Sequence, residues 1–167
     1  MAFVPGTLTD ELETLTEPSY LHRYFVDGTP ASGDVVINTG GGNQWHTVLV
    51  GGLGAGGRSI YALDITDPEA FSESNPGKTV LWEFENEQLG NTIGQPSIVR
   101  LHNGRWAAVF GNGYNSERGS AQLFIVDIET GDLIRRIDTK AQSEPAPDVC
   151  DLGVGVDSTQ IGLGCDN

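Results

Sequence analysis

Gly52-Leu53-Gly54-Ala55-Gly56-Gly57 satisfies G-x-G-x-x-G and follows the apolar run His46 to Val50, the arrangement that in a dinucleotide site lets backbone amides approach a pyrophosphate. That chemistry requires a helix next, because the phosphate sits on the helix's N-terminal amides. Arg58 to Asp64 is short and strand-like instead, and Pro68 interrupts soon after. The loop Gly111 to Gly119 occupies the corresponding place further along without the pattern, so both read as long turns between strands, and no cofactor is expected in this chain.

The remaining reactive side chains are dispersed. His22, His46 and His102 have no metal-ligand spacing, and no Asp-x-Asp-x-Asp-Gly calcium loop or G-x-S-x-G nucleophile elbow occurs. Glu83 and Glu85 share one strand face as a solvated acidic edge. Trp45, Trp82 and Trp106 could stack on a ligand, but at matched positions of a repeat they read as packing anchors. Catalytic, cofactor and metal residues are therefore not assigned, and the chain is read as a binding protein and not an enzyme.

Composition narrows the partners. Lys and Arg number 9 against 23 Asp and Glu, a net charge of -14, so phosphate backbones and anionic membranes are repelled and nucleic acid is not expected as a partner. No apolar run is long enough to span a bilayer, and Met1 to Pro5 is too short for a signal peptide's apolar core, so export would depend on a segment outside this sequence. Cys150 and Cys165 fit one disulfide or two free thiols equally.

The elements that carry these residues are short. With 23 Gly, 8 Pro and a single Met, the inventory favours many strands over long helices, an all-β class. Leu8, Leu12 and Leu15 among acidic residues predict a short helical connector between Thr7 and Ser19, capped by Thr9 and ended before Pro18. Strands are expected at Tyr24 to Val26, Asp34 to Ile37, Trp45 to Val50, Ile60 to Asp64, Val80 to Phe84, Ser97 to Leu101, Trp106 to Phe110, Leu123 to Asp127 and Leu133 to Ile137.

Their order repeats. Pro30 and Pro96 lie 66 residues apart, Trp45 and Trp106 lie 61 apart, Asp64 and Asp127 lie 63 apart, and Val80 to Phe84 matches Leu133 to Ile137. A unit of about 60 residues with four strands is the blade of a propeller, which buries both faces only between neighbours. An eight-stranded β-sandwich is the competing arrangement, and the matched landmarks favour the repeat. Trp45, Asp64, Trp82, Pro96, Trp106 and Asp127 are the structural blade landmarks. Asp64 and Asp127 close their strands, where a carboxylate accepts turn amides.

The predicted fold is thus a partial β-propeller of about two four-stranded antiparallel blades. Residues 1–21 would be the end of a preceding blade and connector, 22–93 and 94–139 the two blades, and 140–167 an irregular tail or the diverged start of a further blade. At 167 residues the chain is too short for a complete propeller, so a fragment, truncated or frame-shifted near its end, is expected. Uncovered outer faces would leave the isolated chain marginally stable, aggregating or oligomeric.

Several stretches resemble the β-propeller of PilY-class type IV pilus proteins, related to neisserial PilC. They are His22 to Gly28, Trp45 to Gly57, Ile60 to Asp64 with Thr66-Asp67-Pro68, Leu81 to Phe84, Gly94 to Arg100, Trp106 to Asn115 and Leu123 to Asp127. The resemblance covers about residues 1 to 139. It implies part of a pilus assembly and tip-adhesion protein at the cell surface, binding minor pilins, other pilus components and host surfaces through propeller loops. It also implies that Phe3 to Pro5 ends a strand of a preceding blade. Some members of the family bind calcium in a Leu-Asp-x-Asp-x-Asp-type loop; Asp148, Asp151 and Asp157 have the wrong spacing, so calcium is not implied here. A second reading is a quinoprotein dehydrogenase propeller, because Val126 to Gly131 resembles the turn of those blades. Those enzymes carry a tryptophan a few residues further on, where this chain has Leu133 to Arg136, and many carry adjacent cysteines, unlike Cys150 and Cys165.

Overall fold

The computed structural model describes residues 3–140. Cys150, Cys165, Asp148, Asp151, Asp157 and nearly all of the tail predicted from 140 onward lie outside the described residues.

Among the described residues, eight strands form two sheets. β1 (Ala31–Asn38), β2 (Asn43–Gly52), β3 (Ser59–Asp64) and β4 (Val80–Glu85) pair in that order; so do β5 (Ser97–Arg100), β6 (Trp106–Gly111), β7 (Gln122–Asp127) and β8 (Leu133–Asp138). Every pairing is antiparallel, so each sheet is a meander. Residues opposite one another across a ladder share a face. One face of the first sheet therefore carries Val48, Val50, Ile60, Ala62, Trp82 and Phe84, and it packs on Ala108, Phe110, Phe124 and Val126 of the second. Phe110 and Phe124 stack with ring centres 5.8 Å apart, and Phe84 meets both edge-on at 5.9 Å.

The far face of the first sheet contributes Leu49, Tyr61 and Leu63 to a smaller cluster, closed by Phe3, Leu8, Phe25 and Leu53. The far face of the second sheet is apolar but open: Val99, Val109 and Ile125 are half-buried, and Leu123 and Ile137 are exposed.

The ladders show how the units correspond. Both fourth strands carry one extra residue, Leu81 in β4 and Ile134 in β8, where the register shifts between Ala62 and Leu63 and between Ile125 and Val126. Asp64 sits opposite Val48 and Asp127 opposite Ala107, while Gly33 faces Val48 and Val99 faces Ala107. This register makes Pro30 the counterpart of Pro96 and Trp82 the counterpart of Arg135. It also corrects one match: the counterpart of Trp106 is Thr47, since the Ile65 amide donates to the Thr47 carbonyl as that of Ile128 does to Trp106 (2.9 and 3.0 Å). Trp45 falls two residues further out, at the position that corresponds to the turn glycine Gly104. The cause is hairpin length, because β1 and β2 pair over eight positions and β5 and β6 over four.

Two further expectations change. Tyr24 to Val26 is not a strand and joins neither sheet of the described residues. The segment crosses the Gly52 to Gly57 loop instead, tied by the Asp27 amide donating to the Leu53 carbonyl. The N-terminal helix is a 3-10 helix over Gly6–Thr16 preceded by Pro5, and Thr9 does not cap it. The Thr9, Thr14 and Thr16 hydroxyls each donate to the carbonyl three residues back, a local bond that suits the tighter helix. Phe3 to Pro5 carries no strand; Phe3 lies against Tyr61 at 5.2 Å, and both Glu83 carboxylate oxygens accept from the Gly6 amide at 2.9 Å.

Candidate functional site

The two aspartates that close the third strands occupy equivalent turns. Asp127 is buried; its Oδ1 accepts from the Glu129 and Thr130 amides at 2.8 and 3.1 Å, and its Oδ2 accepts from Arg105 Nε at 2.9 Å and lies 2.6 Å from Arg105 Nη2. Asp64 Oδ1 accepts from the Thr66 amide at 3.0 Å, and its Oδ2 lies 2.7 Å from His46 Nδ1. Thr66 Oγ1 also donates to Asp64, so Asp64, His46 and Thr66 could be mistaken for a proton-transfer group. The repeat argues otherwise. His46 and Arg105 occupy equivalent positions, and an arginine, always charged, cannot relay a proton. In each unit the turn carboxylate is held by the side chain at that position, Asp127 by the Arg105 guanidinium and Asp64 by His46 Nδ1.

Trp82 joins one unit to the next. It is buried, and its Nε1–H donates to the Ile128 carbonyl at 2.8 Å across the sheet interface. Its ring seats against Gly131, whose φ is 76° and where a Cβ would come within 2.7 Å of Trp82 Cγ. Glycine is required there twice over, for backbone conformation and for space. Gln95 Nε2 makes a second link, donating to the Pro30 carbonyl at 2.9 Å just before the buried Pro96.

Amides of the glycine loop are spent within the chain, that of Gly56 on the Leu53 carbonyl at 3.1 Å. The Ala55 amide donates to Asp27 Oδ1 at 2.7 Å, Gly56 packs under the Phe25 backbone, and β3 follows directly. This loop meets two others at one end of the sheets. Asn91 Nδ2 donates to the Ala55 carbonyl at 2.8 Å, Asn91 and Tyr114 exchange backbone bonds of 2.7 and 3.1 Å, and the Gly90 amide donates to the Asn112 carbonyl at 2.7 Å. Thr92 Oγ1, buried, accepts from the Leu53 amide and donates to the Ser59 carbonyl. Such locked loops form a preorganised surface, and they expose Tyr114 and Ile93. Beside them lies an open cleft of about 750 Å³ whose lining includes Glu11, Arg58, Glu85 and Glu87, so the acidic strand face of β4 ends at a cleft wall.

The landmark tryptophans thus separate. Trp82 is buried between the sheets, Trp106 is half-buried at the edge of the same core, and Trp45 is 67% exposed, held edge-on to Trp106 with ring centres 6.4 Å apart. The interlocked loops carry no local signature beyond Gly and Asn; their convergence on one end follows from the meander, in which every second connection falls on the same side.

Two consecutive four-stranded meanders, packed face to face and joined by one sheet's tryptophan on the next sheet's turn, are neighbouring blades of a β-propeller. Residues 4–151 match the family model described as the PilY1 beta-propeller domain, and the chain belongs to that family. A type IV pilus biogenesis factor PilY1 homolog of Xylella fastidiosa is 48% identical over 147 residues, 86% of this chain and 9% of that protein. The type IV pilus biogenesis factor PilY1 of Pseudomonas aeruginosa strain UCBPP-PA14 is 40% identical over 147 residues, 84% of this chain and 12% of that protein. The crystal structure of the Pseudomonas aeruginosa PilY1 C-terminal domain is similar with a TM-score of 0.66 and 33% identity, covering 92% of this chain and 30% of that one. The chain therefore spans about a tenth of the length of these curated relatives.

Proposed function

We infer that this chain acts within a type IV pilus biogenesis factor at the cell surface, and that it works by binding other proteins through its propeller loops and not by catalysis. The observation that carries the reading is membership of the PilY1 propeller family together with relatives named as type IV pilus biogenesis factors. The locked loop end supports a binding role, since a rigid surface with exposed Tyr114 and Ile93 loses little entropy on docking. The partners on this reading are pilus components, minor pilins among them, and host surfaces.

The test is genetic and biochemical. Disrupting the gene that contains this chain should remove surface pili, with recovery from a wild-type copy and weaker recovery from a copy carrying Tyr114→Asp and Ile93→Asp. Unchanged piliation in the disrupted strain would overturn the pilus role. Full recovery by the double variant would overturn the loop surface. A bound quinone with dye-linked turnover would overturn the non-catalytic reading.

A further inference from the structure

The first unit carries a loop that the second lacks. β3 and β4 are joined by residues 65–79, whereas β7 and β8 are joined by 128–132 alone. Long connections are uncommon in compact folds and usually functional. This one is fixed in place: it forms two single 3-10 turns, Pro68–Ala70 and Pro76–Lys78, Asp67 Oδ1 accepts from the Glu69 amide at 3.1 Å, and the Thr79 carbonyl accepts from the Asp64 amide at 2.7 Å.

A cavity of about 330 Å³ lies between this loop and the strands, with His46, Asp64, Phe71, Lys78, Thr79 and Leu81 in its lining. Its walls all belong to the first unit. His46 and Asp64 stand on the ladder face of Val35 and Val48, the face that the second sheet covers, so the neighbouring blade on that side is present and the cavity persists beside it.

Three polar groups of the lining are uncommitted. Thr79 Oγ1 is buried without a hydrogen-bond partner among the described residues, a state that a bound polar group relieves. His46 bonds to Asp64 Oδ2 through Nδ1 at 2.7 Å, so the neutral ring carries its proton there and leaves Nε2 as an acceptor. Arg105, at the same position of the second unit, has no acceptor to offer. Lys78 is exposed and forms no ion pair among the described residues.

We propose that this cavity binds one ring of a neutral saccharide, its hydroxyls meeting His46 Nε2, Thr79 Oγ1 and the Lys78 ammonium and its C–H face lying against Phe71. Sugar hydroxyls both donate and accept, which matches a lining that offers an acceptor, a hydroxyl and a cationic donor beside apolar Phe71 and Leu81. An anion would meet Asp64 and Asp67 at the cavity and a chain of net charge -14. Among the described residues no cluster of His, Cys, Asp and Glu could hold a metal ion. The site rests on the first unit's residues alone, so it can fail while the pilus reading stands, and the reverse.

The test is saturation-transfer NMR of the full chain with the methyl glycosides of glucose, galactose, mannose and N-acetylglucosamine, and with N-acetylneuraminate as the anionic comparison. His46→Arg installs the second unit's residue, keeping a partner for Asp64 while removing the acceptor, and Thr79→Val removes the hydroxyl at nearly constant shape. Circular dichroism melts establish that each variant is folded. At least one neutral glycoside should bind saturably, and each substitution should weaken it by about 3-fold to 10-fold, the size of one hydrogen bond. Raising the salt concentration should change little, because the ligand is uncharged. No saturable binding by any of the four glycosides, or equal affinity in the parent and both variants, would overturn the site. Tighter binding of N-acetylneuraminate that salt abolishes would also overturn it, by assigning the cavity to anions through Lys78.

Discussion

The contact between Trp82 and Gly131 yields the sharpest prediction. Gly131→Ala places a methyl at 2.7 Å from Trp82 Cγ and 2.8 Å from its Cβ, the stiff root of the side chain and not a mobile tip, so overpacking costs about 1–3 kcal/mol. The residue also sits at φ 76°, where a Cβ costs roughly 1–2 kcal/mol by itself. The single variant should therefore lose about 2–5 kcal/mol, a large part of a small domain's stability. In a Trp82→Ala background the contacts with Cγ and the ring disappear while that with Cβ remains, so Gly131→Ala should cost less there than in the parent, although Trp82→Ala itself costs about 3–5 kcal/mol and leaves the Ile128 carbonyl without its donor. Trp82→Phe is the control: it loses the hydrogen bond but keeps Cβ and Cγ, so Gly131→Ala should cost as much there as in the parent. Urea unfolding followed by far-UV circular dichroism measures all six forms. Equal cost of Gly131→Ala in the parent, Phe and Ala backgrounds would show that the ring does not clamp the turn, and the account of how the blades are joined would fall.

Two other perturbations separate roles that share one side chain or one pH range. Asp127→Asn keeps an oxygen for the Glu129 and Thr130 amides and loses the ion pair with the half-exposed Arg105, a loss of about 1 kcal/mol, while Asp127→Ala also orphans both amides and should lose about 2–4 kcal/mol; equal losses by urea unfolding would refute the turn role. The Asp138 carboxyl is held below the usual carboxylate range, chiefly by the Lys140 amide donating to it, against an opposing effect of burial, and further by Ser120, Arg118 and Arg136. Because its folded value is the depressed one, its contribution is present above the unfolded value and is lost as pH falls through the folded value. The melting temperature should thus fall less steeply as pH drops from about 5 to about 2 in Asp138→Asn than in the parent, and parallel curves would refute it.

What the amino-acid sequence determined by itself was local or periodic. Alternation of Val80, Trp82 and Phe84 with Glu83 and Glu85 makes β4 a strand with a wet face, and the structure buries Trp82 and Phe84 while leaving the glutamates exposed. Eight of nine expected strands, the proline and aspartate correspondences and the strand that follows the glycine loop were legible because a ladder and a turn are specified within a few residues. Tertiary structure decided the rest. Tyr24 to Val26 has the composition of a strand and pairs with none among the described residues, and pairing cannot be read from one segment. Trp45 and Trp106 look equivalent in the text, yet a longer hairpin puts the first in solvent and leaves the second at the core's edge. Burial of a tryptophan is a property of the face across from it. That face belongs to residues 46 positions away for Trp82 and Ile128, and for Trp45 it is water.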